Sequence, residues 1–407
     1  MKFLISIAAA VLLVAIIVPT GCGPKSISNS THDGPMVRVR LLAGVDRVNL
    51  GLSEAPIIDV GGSRRRLGVR PGQTVVLTYT DTGWMINGIA VGQGPMVIEP
   101  ATAGSVTCNG LPYRGSYRFV PLAAGRFDVV NDLDVDSYLL GVLSRELLPD
   151  WDAEAYKAQA VIARTYAIYE VKTGAAGRHW DLHPDERSQV YGGMNAETDR
   201  SRAGVDATRG MVVAWGARGD EKIFKAYFSA CCGGVGASVG DVFGETTIPP
   251  LDAKYTGNTC SIAGRYNWGP IGFAKSELTR RIRAWGAKNG HALANLSGLQ
   301  TIEISGTNQF HRPRRFTVTD TNGLQSVLTS EQMRWAINAD PQGGPTVFSS
   351  FFRPVDTGDA IQLVEGHGFG HGAGACQWCM QARALSGSKF EQIVLEAYPQ
   401  STVLSAY

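Results

Sequence analysis

The residues of this 407-residue chain that are equipped for chemistry fall into three groups. The first is a lone carboxylic acid, Glu146, preceded by Val142 and Leu143 and followed by Leu147, Leu148 and Pro149. A carboxyl group in apolar company loses hydration of its charged form. Its pKa then rises, and it can hold a proton near neutral pH as a general acid must. On spacing alone, a solvated Glu that closes an amphipathic helix is the commoner reading. Asp150, Asp152 and Glu154 follow closely and offer a second carboxylate, but they read better as helix-start residues complementing the dipole. The second group is the thiols: Cys22, Cys108, Cys231, Cys232, Cys260, Cys376 and Cys379. Cys376-x-x-Cys379 and the adjacent Cys231-Cys232 supply four thiols in two short stretches. Disulfides or unpaired buried thiols are the preferred reading, because adjacent cysteines lack the knuckle spacing of a zinc site. Zinc is the lesser reading, and no metal or other cofactor is assigned. The third group is Ser and His in glycine-rich runs. Gly236-Ala237-Ser238-Val239-Gly240 fits a nucleophile elbow, yet no helical pattern follows Ser238 and no acid and His are ordered behind it. Gly370 to Ala375 fits a dinucleotide loop, but too little chain follows for a return strand. His367-x-x-x-His371 has metal-ligand spacing only on a helix, and its glycines argue for a loop.

These residues need elements to hold them. Residues 36 to 130 read as strands, since VRVRLL, TVVLTYT and FDVV alternate or cluster β-branched residues between Gly and Pro breaks. Asp134 or Asp136 can then cap a helix running to about Glu146, with Pro149 as a stop. A second helix runs from about Asp152 to Val171. Joined by a tight turn, the two place Glu146 at the corner. On the second helix Ala155, Ala158, Ile162, Tyr166 and Tyr169 share one face, and Lys157 and Arg164 the opposite one. Strands return at MVVAW and KIFKAYF, followed by a helix near Ser276 to Trp285. Further strands at TIEIS and RRFTVTD precede a capped helix from Thr329 to Ile337 and the strand IQLVEG. A glycine-rich loop then leads to a helix from about Cys376 to Leu385 and a short one opened by a Ser388-x-x-Glu391 capping box. The expected fold class is α+β, with a strand-rich part over 36–130 and a core over 131–407 carrying the helical hairpin and its acidic corner.

The N-terminus predicts the address. Lys2 precedes an uncharged apolar run from Phe3 to Val18, long enough for a signal-peptide core and short for a membrane span. It ends in Val18-Pro19-Thr20-Gly21-Cys22, which resembles a bacterial lipoprotein signal with Cys22 as the lipidated residue. Ordinary cleavage with Cys22 incidental is the alternative. Residues 1–21 are thus read as a signal peptide and 22–35 as a flexible tether. The expectation is an exported lipoprotein, held to a membrane and facing the periplasm or cell wall. With 38 basic against 36 acidic residues and a net charge of +2, nothing implies nucleic acid, and 44% hydrophobic content excludes disorder.

Four motifs in order carry a family resemblance. YLLGVLSRELLPDWDAEAYKAQAVIARTYA (138–167) is similar to the helix, acidic corner and K-A-Q-A-x-x-A-R-T-Y helix of the SpoIID/LytB domain, named for stage II sporulation protein D and an amidase enhancer. SQVYGG (188–193), FSACCGG (228–234) and GHGFGHGAGACQW (366–378) follow in family order, so the resemblance runs from about Val37 to Tyr407. It implies a lytic transglycosylase acting on peptidoglycan glycan strands, with Glu146 as its catalytic acid and base and 1,6-anhydro ends as its products. It also implies substrate-binding roles for Lys157, Gln159, Arg164, Gln189, Tyr191, Ser229, His371 and Gln377. Two alternatives remain: a glycan-binding amidase enhancer without turnover, whose partner is a cell-wall amidase, and a two-carboxylate muramidase. Phe228 stands where many members place a His, which removes a ligand from the metal site that some of them carry. Cys376 and Cys379, where Ser and Gly often occur, then pair with each other or with Cys231 and Cys232 as a disulfide or thiol cluster.

Overall fold

From Met36 the chain builds two six-stranded antiparallel sheets. One is ordered Met36–Val45, Phe127–Asp134, Ser116–Pro121, Met96–Glu99, Ile57–Val60 and Ser63–Arg66. The other is ordered Leu111–Tyr113, Val106–Cys108, Arg47–Leu52, Gln73–Thr80, Gly83–Ile86 and Ile89–Gly92. Strand alternation puts Val37, Val39, Leu50, Leu52, Val75 and Leu77 in the shared core. Trp84 of the second sheet meets Phe127 and Phe119 of the first at ring-centroid distances of 5.0 and 6.1 Å. The Tyr117 hydroxyl donates to the Val106 carbonyl at 2.6 Å, tying the two sheets together. This computed structural model describes residues 34–101, 105–175 and 177–407. The signal peptide, Cys22 and nearly all of the tether lie outside the described residues.

The strand Phe127–Asp134, buried along almost its whole length, runs straight into helix α1, Val135–Glu146. Asp134 caps α1 by accepting from the Ser137 amide at 2.9 Å. Asp152 caps α2, Ala153–Thr173, by accepting from the Glu154 amide at 2.8 Å. The bounds match the sequence reading, but the two-faced character of α2 does not. Every side chain from Ala155 to Ile168 except Lys157 is buried, because α2 is packed on α1 and on later elements around its circumference. A helix enclosed on all sides has no polar face. Arg164 accordingly lies inside, paired with Asp136 of α1 at 2.7 Å and donating to the Met211 carbonyl at 3.1 Å. The Tyr407 hydroxyl closes this cluster by donating to Asp136 at 2.8 Å.

Helix α3, Asp199–Ala207, opens with a reciprocal Thr198–Ser201 cap and packs on α2. The strand Met211–Trp215 pairs with Thr402–Ser405, so the chain's last strand returns beside the helices. The expected KIFKAYF strand forms only at Lys222–Ile223 and Phe228–Ser229. Between them the Tyr227 amide turns back onto the Lys225 carbonyl at 2.8 Å, breaking the run. Contrary to expectation, a helical turn does follow Ser238: α4, Val239–Phe243. Ser238 is its cap, and its hydroxyl is engaged by the Asp241 amide at 3.1 Å.

Residues 268–363 form a second core. Helices α5, Lys275–Lys288, and α6, Ser330–Asn338, pack Leu278, Ile282 and Met333 against Phe316, Val318 and Leu363 of two small antiparallel sheets. The chain then rejoins the first core. Phe228–Ser229 pairs in parallel with Ala375–Cys376, which brings the FSACCGG and GHGFGHGAGAC segments side by side. Gly374 is required there: its φ is +72°, and a Cβ would collide with the Tyr227 carbonyl oxygen. Helices α7, Gln377–Leu385, and α8, Phe390–Ala397, finish the helical layer against α2. The α8 cap lies one residue later than the Ser388 box, with the Lys389 amide donating to Gln392 at 3.1 Å.

Candidate functional site

Glu146 is the last residue of α1, and its half-buried carboxyl points toward the segment 188–191. The Val190 amide donates to its Oε1 at 2.9 Å. That amide is aimed by its buried neighbours. The Gln189 side chain accepts from the Tyr138 hydroxyl at 3.2 Å and donates to the Ala163 carbonyl at 3.4 Å. The Tyr191 ring lies between Tyr113 and Tyr138 at 5.4 and 4.9 Å, and its hydroxyl donates to Asn131 at 3.1 Å. Gly141 makes this approach feasible, since a Cβ there would sit 2.7 Å from the Tyr191 ring. Gln189 and Tyr191 are therefore scaffold, and the group they deliver to Glu146 is a backbone N–H.

The opposite wall is the start of α7. Gln377 is buried, and its side-chain amide stands beside the Glu146 carboxyl, though its nitrogen falls short of a well-aligned hydrogen bond. The Trp378 amide donates to the Ala230 carbonyl at 3.0 Å, and its ring meets Trp151 edge-on at 4.9 Å. Gln381 accepts from the Asp152 amide at 3.0 Å. These contacts lock α7 onto the corner between α1 and α2. Burial raises the Glu146 pKa from its ordinary 4.5, and the charge of Glu186 adds to the rise. The Val190 amide and Gln377 pull the other way, and burial wins. A carboxyl so placed can give up a proton and take one back.

The remaining sequence candidates do not touch the Glu146 carboxyl through any hydrogen bond or ion pair among the described residues, and all but Gln159 have other partners. Lys157 pairs with Glu154 at 2.7 Å, whose second oxygen accepts from the Phe390 amide at 2.9 Å, so the pair joins α2 to α8. Arg164 is buried on Asp136, as above. Gln159 is fully buried with neither amide atom hydrogen-bonded. The Ser229 hydroxyl accepts from the Gly372 amide at 3.2 Å, and His371 Nδ1 accepts from the Ala373 amide at 3.1 Å. Burial lowers the His371 pKa to about 4, so its ring is neutral at pH 7 and braces the glycine loop. Of the carboxylates that could partner Glu146, Asp152 and Glu154 are engaged in capping and pairing, and Asp150 is exposed. Sequence reasoning missed the Val190 amide, which has no side-chain signature, and Glu186, which precedes the SQVYGG motif by two residues.

The cysteines do gather. Cys231, Cys232, Cys260 and Cys376 are buried together with Cys379 beside them, all as free thiols, while Cys108 sits apart in the sandwich. Cys260 was not among the four thiols grouped from sequence. A cavity of about 300 Å³ opens over Cys376 and Cys379, lined also by Lys254, Tyr255, Met380 and Arg383; Glu146 does not line it.

A family described as SpoIID, stage II sporulation protein, has a model that matches residues 123–215. An uncharacterized protein of Brachyspira hyodysenteriae is 30% identical over 327 residues, covering 79% of this chain and 80% of that protein. The chain belongs to the SpoIID family. The amidase enhancer of Bacillus subtilis is 27% identical over 343 residues, which is 75% of this chain but 46% of the Bacillus protein. An uncharacterized protein of Chlamydia muridarum is 34% identical over 125 residues. Within this SpoIID family member the matched region holds Glu146, all of α2, Gln189 and Tyr191, whereas Ser229, His371 and Gln377 lie beyond it.

Proposed function

We propose that this SpoIID family member is a peptidoglycan lytic transglycosylase in which Glu146 serves as both acid and base. The observation that carries the reading is the carboxyl itself: half-buried at the end of α1, raised in pKa by that burial, and held at one oxygen by the Val190 amide. With Oε1 so held, Oε2 carries the proton. Glu146 protonates the glycosidic oxygen between N-acetylmuramic acid and N-acetylglucosamine as the bond breaks and an oxocarbenium-like centre develops. The resulting carboxylate takes the proton of the sugar's own 6-hydroxyl as that oxygen closes on the anomeric carbon. No water enters, and the product ends in a 1,6-anhydro ring. Export, lipidation at Cys22 and attachment to a membrane belong to the same proposal, since they would bring the domain to its polymer. Digestion of peptide-stripped glycan strands tests it. Wild type should release anhydro products, and Glu146→Gln, with its fold intact, should lose at least about a hundredfold in rate. Products one water heavier would instead indicate hydrolysis with a second carboxylate, and no release by wild type would end the proposal.

The Bacillus relative's name, together with a cavity that lies away from Glu146, favours one second reading: a glycan-binding enhancer of a cell-wall amidase. On that reading the chain releases nothing alone, and Glu146→Gln stimulates an added amidase as well as wild type does.

A further inference from the structure

Cys232, Cys260, Cys376 and Cys379 come from three separated stretches of sequence, yet their four sulfurs lie within 4.8 Å of one another. Cys232 Sγ is 3.6 Å from Cys260 Sγ and 3.9 Å from Cys379 Sγ. Four thiolates around a zinc ion, each about 2.3 Å from the metal in a tetrahedron, stand roughly 3.8 Å apart along every edge. The observed contacts bracket that edge. A disulfide would choose one partner at about 2.05 Å, whereas Cys232 faces two sulfurs almost equally. We propose that these four cysteines form a tetrathiolate site for a structural zinc ion.

The surroundings suit such an ion. Cys376 and Cys379 form the knuckle that opens α7, with the Cys379 amide directed at Cys376 Sγ at 3.4 Å. The Cys232 amide approaches the same sulfur at 3.2 Å. Amides aimed at a sulfur stabilise thiolate over thiol and orient the ligand. A zinc ion with four thiolates carries a net charge of −2, and two cations face it: Lys254, half-buried, and Arg312, fully buried, both act electrostatically on Cys232 and Cys376. Among the described residues their hydrogen bonds go to carbonyls, Lys254 to Ala397 and Arg312 to Cys232, Val235 and His371. Cys231, whose main chain bridges Phe369, is outside the quartet; Cys260 supplies the fourth sulfur.

The ion would clip the loop bearing Cys260 and the FSACCGG turn to the first residues of α7. Gln377, the next residue after Cys376, is the one that stands beside Glu146. The site is closed, with four protein ligands and no open position, so its role is structural rather than Lewis-acidic.

Metal analysis of the purified full chain, together with cobalt titration of chelator-treated protein, tests this. The expected result is about one zinc per chain and, with cobalt, the sulfur-to-metal charge-transfer and intense visible bands of a tetrahedral thiolate site. Zinc content should fall at least about tenfold in Cys260→Ser and in Cys379→Ser and stay near one in Cys108→Ser and Cys231→Ser. The cobalt spectrum of wild type does not depend on the variants folding. Two outcomes overturn the proposal: alkylation and mass analysis showing these cysteines joined in disulfides as isolated, or four free thiols that take up neither zinc nor cobalt.

Discussion

At the scale of single residues, the Glu146 carboxyl makes a prediction that needs no substrate. Its folded pKa lies above the ordinary 4.5 because burial penalises the anion. Between 4.5 and the raised value the folded chain keeps a proton that the unfolded chain has released, so stability falls as pH rises through that window. Gln carries no such proton. The melting temperature of wild type should therefore drop relative to Glu146→Gln across the window and run parallel to it above. A difference that stays flat from pH 4 upward would mean a solvated carboxyl. His371, lowered to about 4, slopes stability the opposite way between about 4 and 6.5, but both proteins contain it and it cancels. Gln377 offers a second test: its amide favours the carboxylate, so Gln377→Leu should raise the Glu146 pKa further and move the alkaline limb of glycan cleavage to higher pH. An unmoved limb would remove Gln377 from the site. Glu146 was legible in sequence through the family resemblance of its motif, since its apolar neighbours alone fit a solvated residue at a helix end as well. The group that holds it was not, since the Val190 amide is main chain and any residue could supply it. Cys260 was hidden for a related reason: its nearness to Cys232 is a product of the tertiary fold.

Among the elements, what was legible was local. Asp134 and Asp152 start their helices as read, because a cap is decided within three or four residues. Lys157 and Arg164 do not form the one polar face of α2 that their seven-residue spacing suggests. Alanines occupy so much of the helix that neighbours approach from every direction, and Arg164 is carried inward to Asp136. A sequence cannot distinguish a polar face from a buried pair when the partner, here 28 residues earlier, sits on another helix. The pair makes a sharp prediction. Arg164→Leu leaves Asp136 buried with only the Tyr407 hydroxyl, and breaking a buried pair on one side costs about 3–5 kcal/mol. The urea midpoint should fall accordingly, whereas Lys157→Leu, which severs a partly exposed pair, should cost no more than about 1 kcal/mol. Equal losses in the two variants would mean that Arg164 is solvated after all.

On the scale of the whole molecule, the two large hydrophobic cores among the described residues, with the small cysteine cluster beside them, have to act as one framework. The sandwich and helical layer share the first, and residues 268–363 hold the second. Sequence patterning showed strands and helices in the later stretch but gave no sign of a separate core, because periodicity reports which face is apolar and not which other face it meets. Arg312 is a strong physical tie between them. It lies at the edge of the second core, fully buried, and its Nη1 donates to the Cys232 and Val235 carbonyls at 2.9 and 2.6 Å while Nη2 reaches His371 at 3.2 Å. Arg314 adds an ion pair to Asp241 at 2.8 Å. One guanidinium thus satisfies carbonyls in both glycine-rich motif loops. Arg312→Met keeps most of the side-chain bulk but orphans those acceptors, each at about 1–3 kcal/mol, and the loss falls at the junction and not inside either core. Hydrogen exchange should then show amides of Phe316, Val318 and Leu363 losing protection at a lower denaturant concentration than those of Val129, Leu139 and Ile162. In wild type the two sets should open together. If the variant still opens both sets at one common, lowered midpoint, the cores are joined by broader packing, and the guanidinium contributes stability without coupling them.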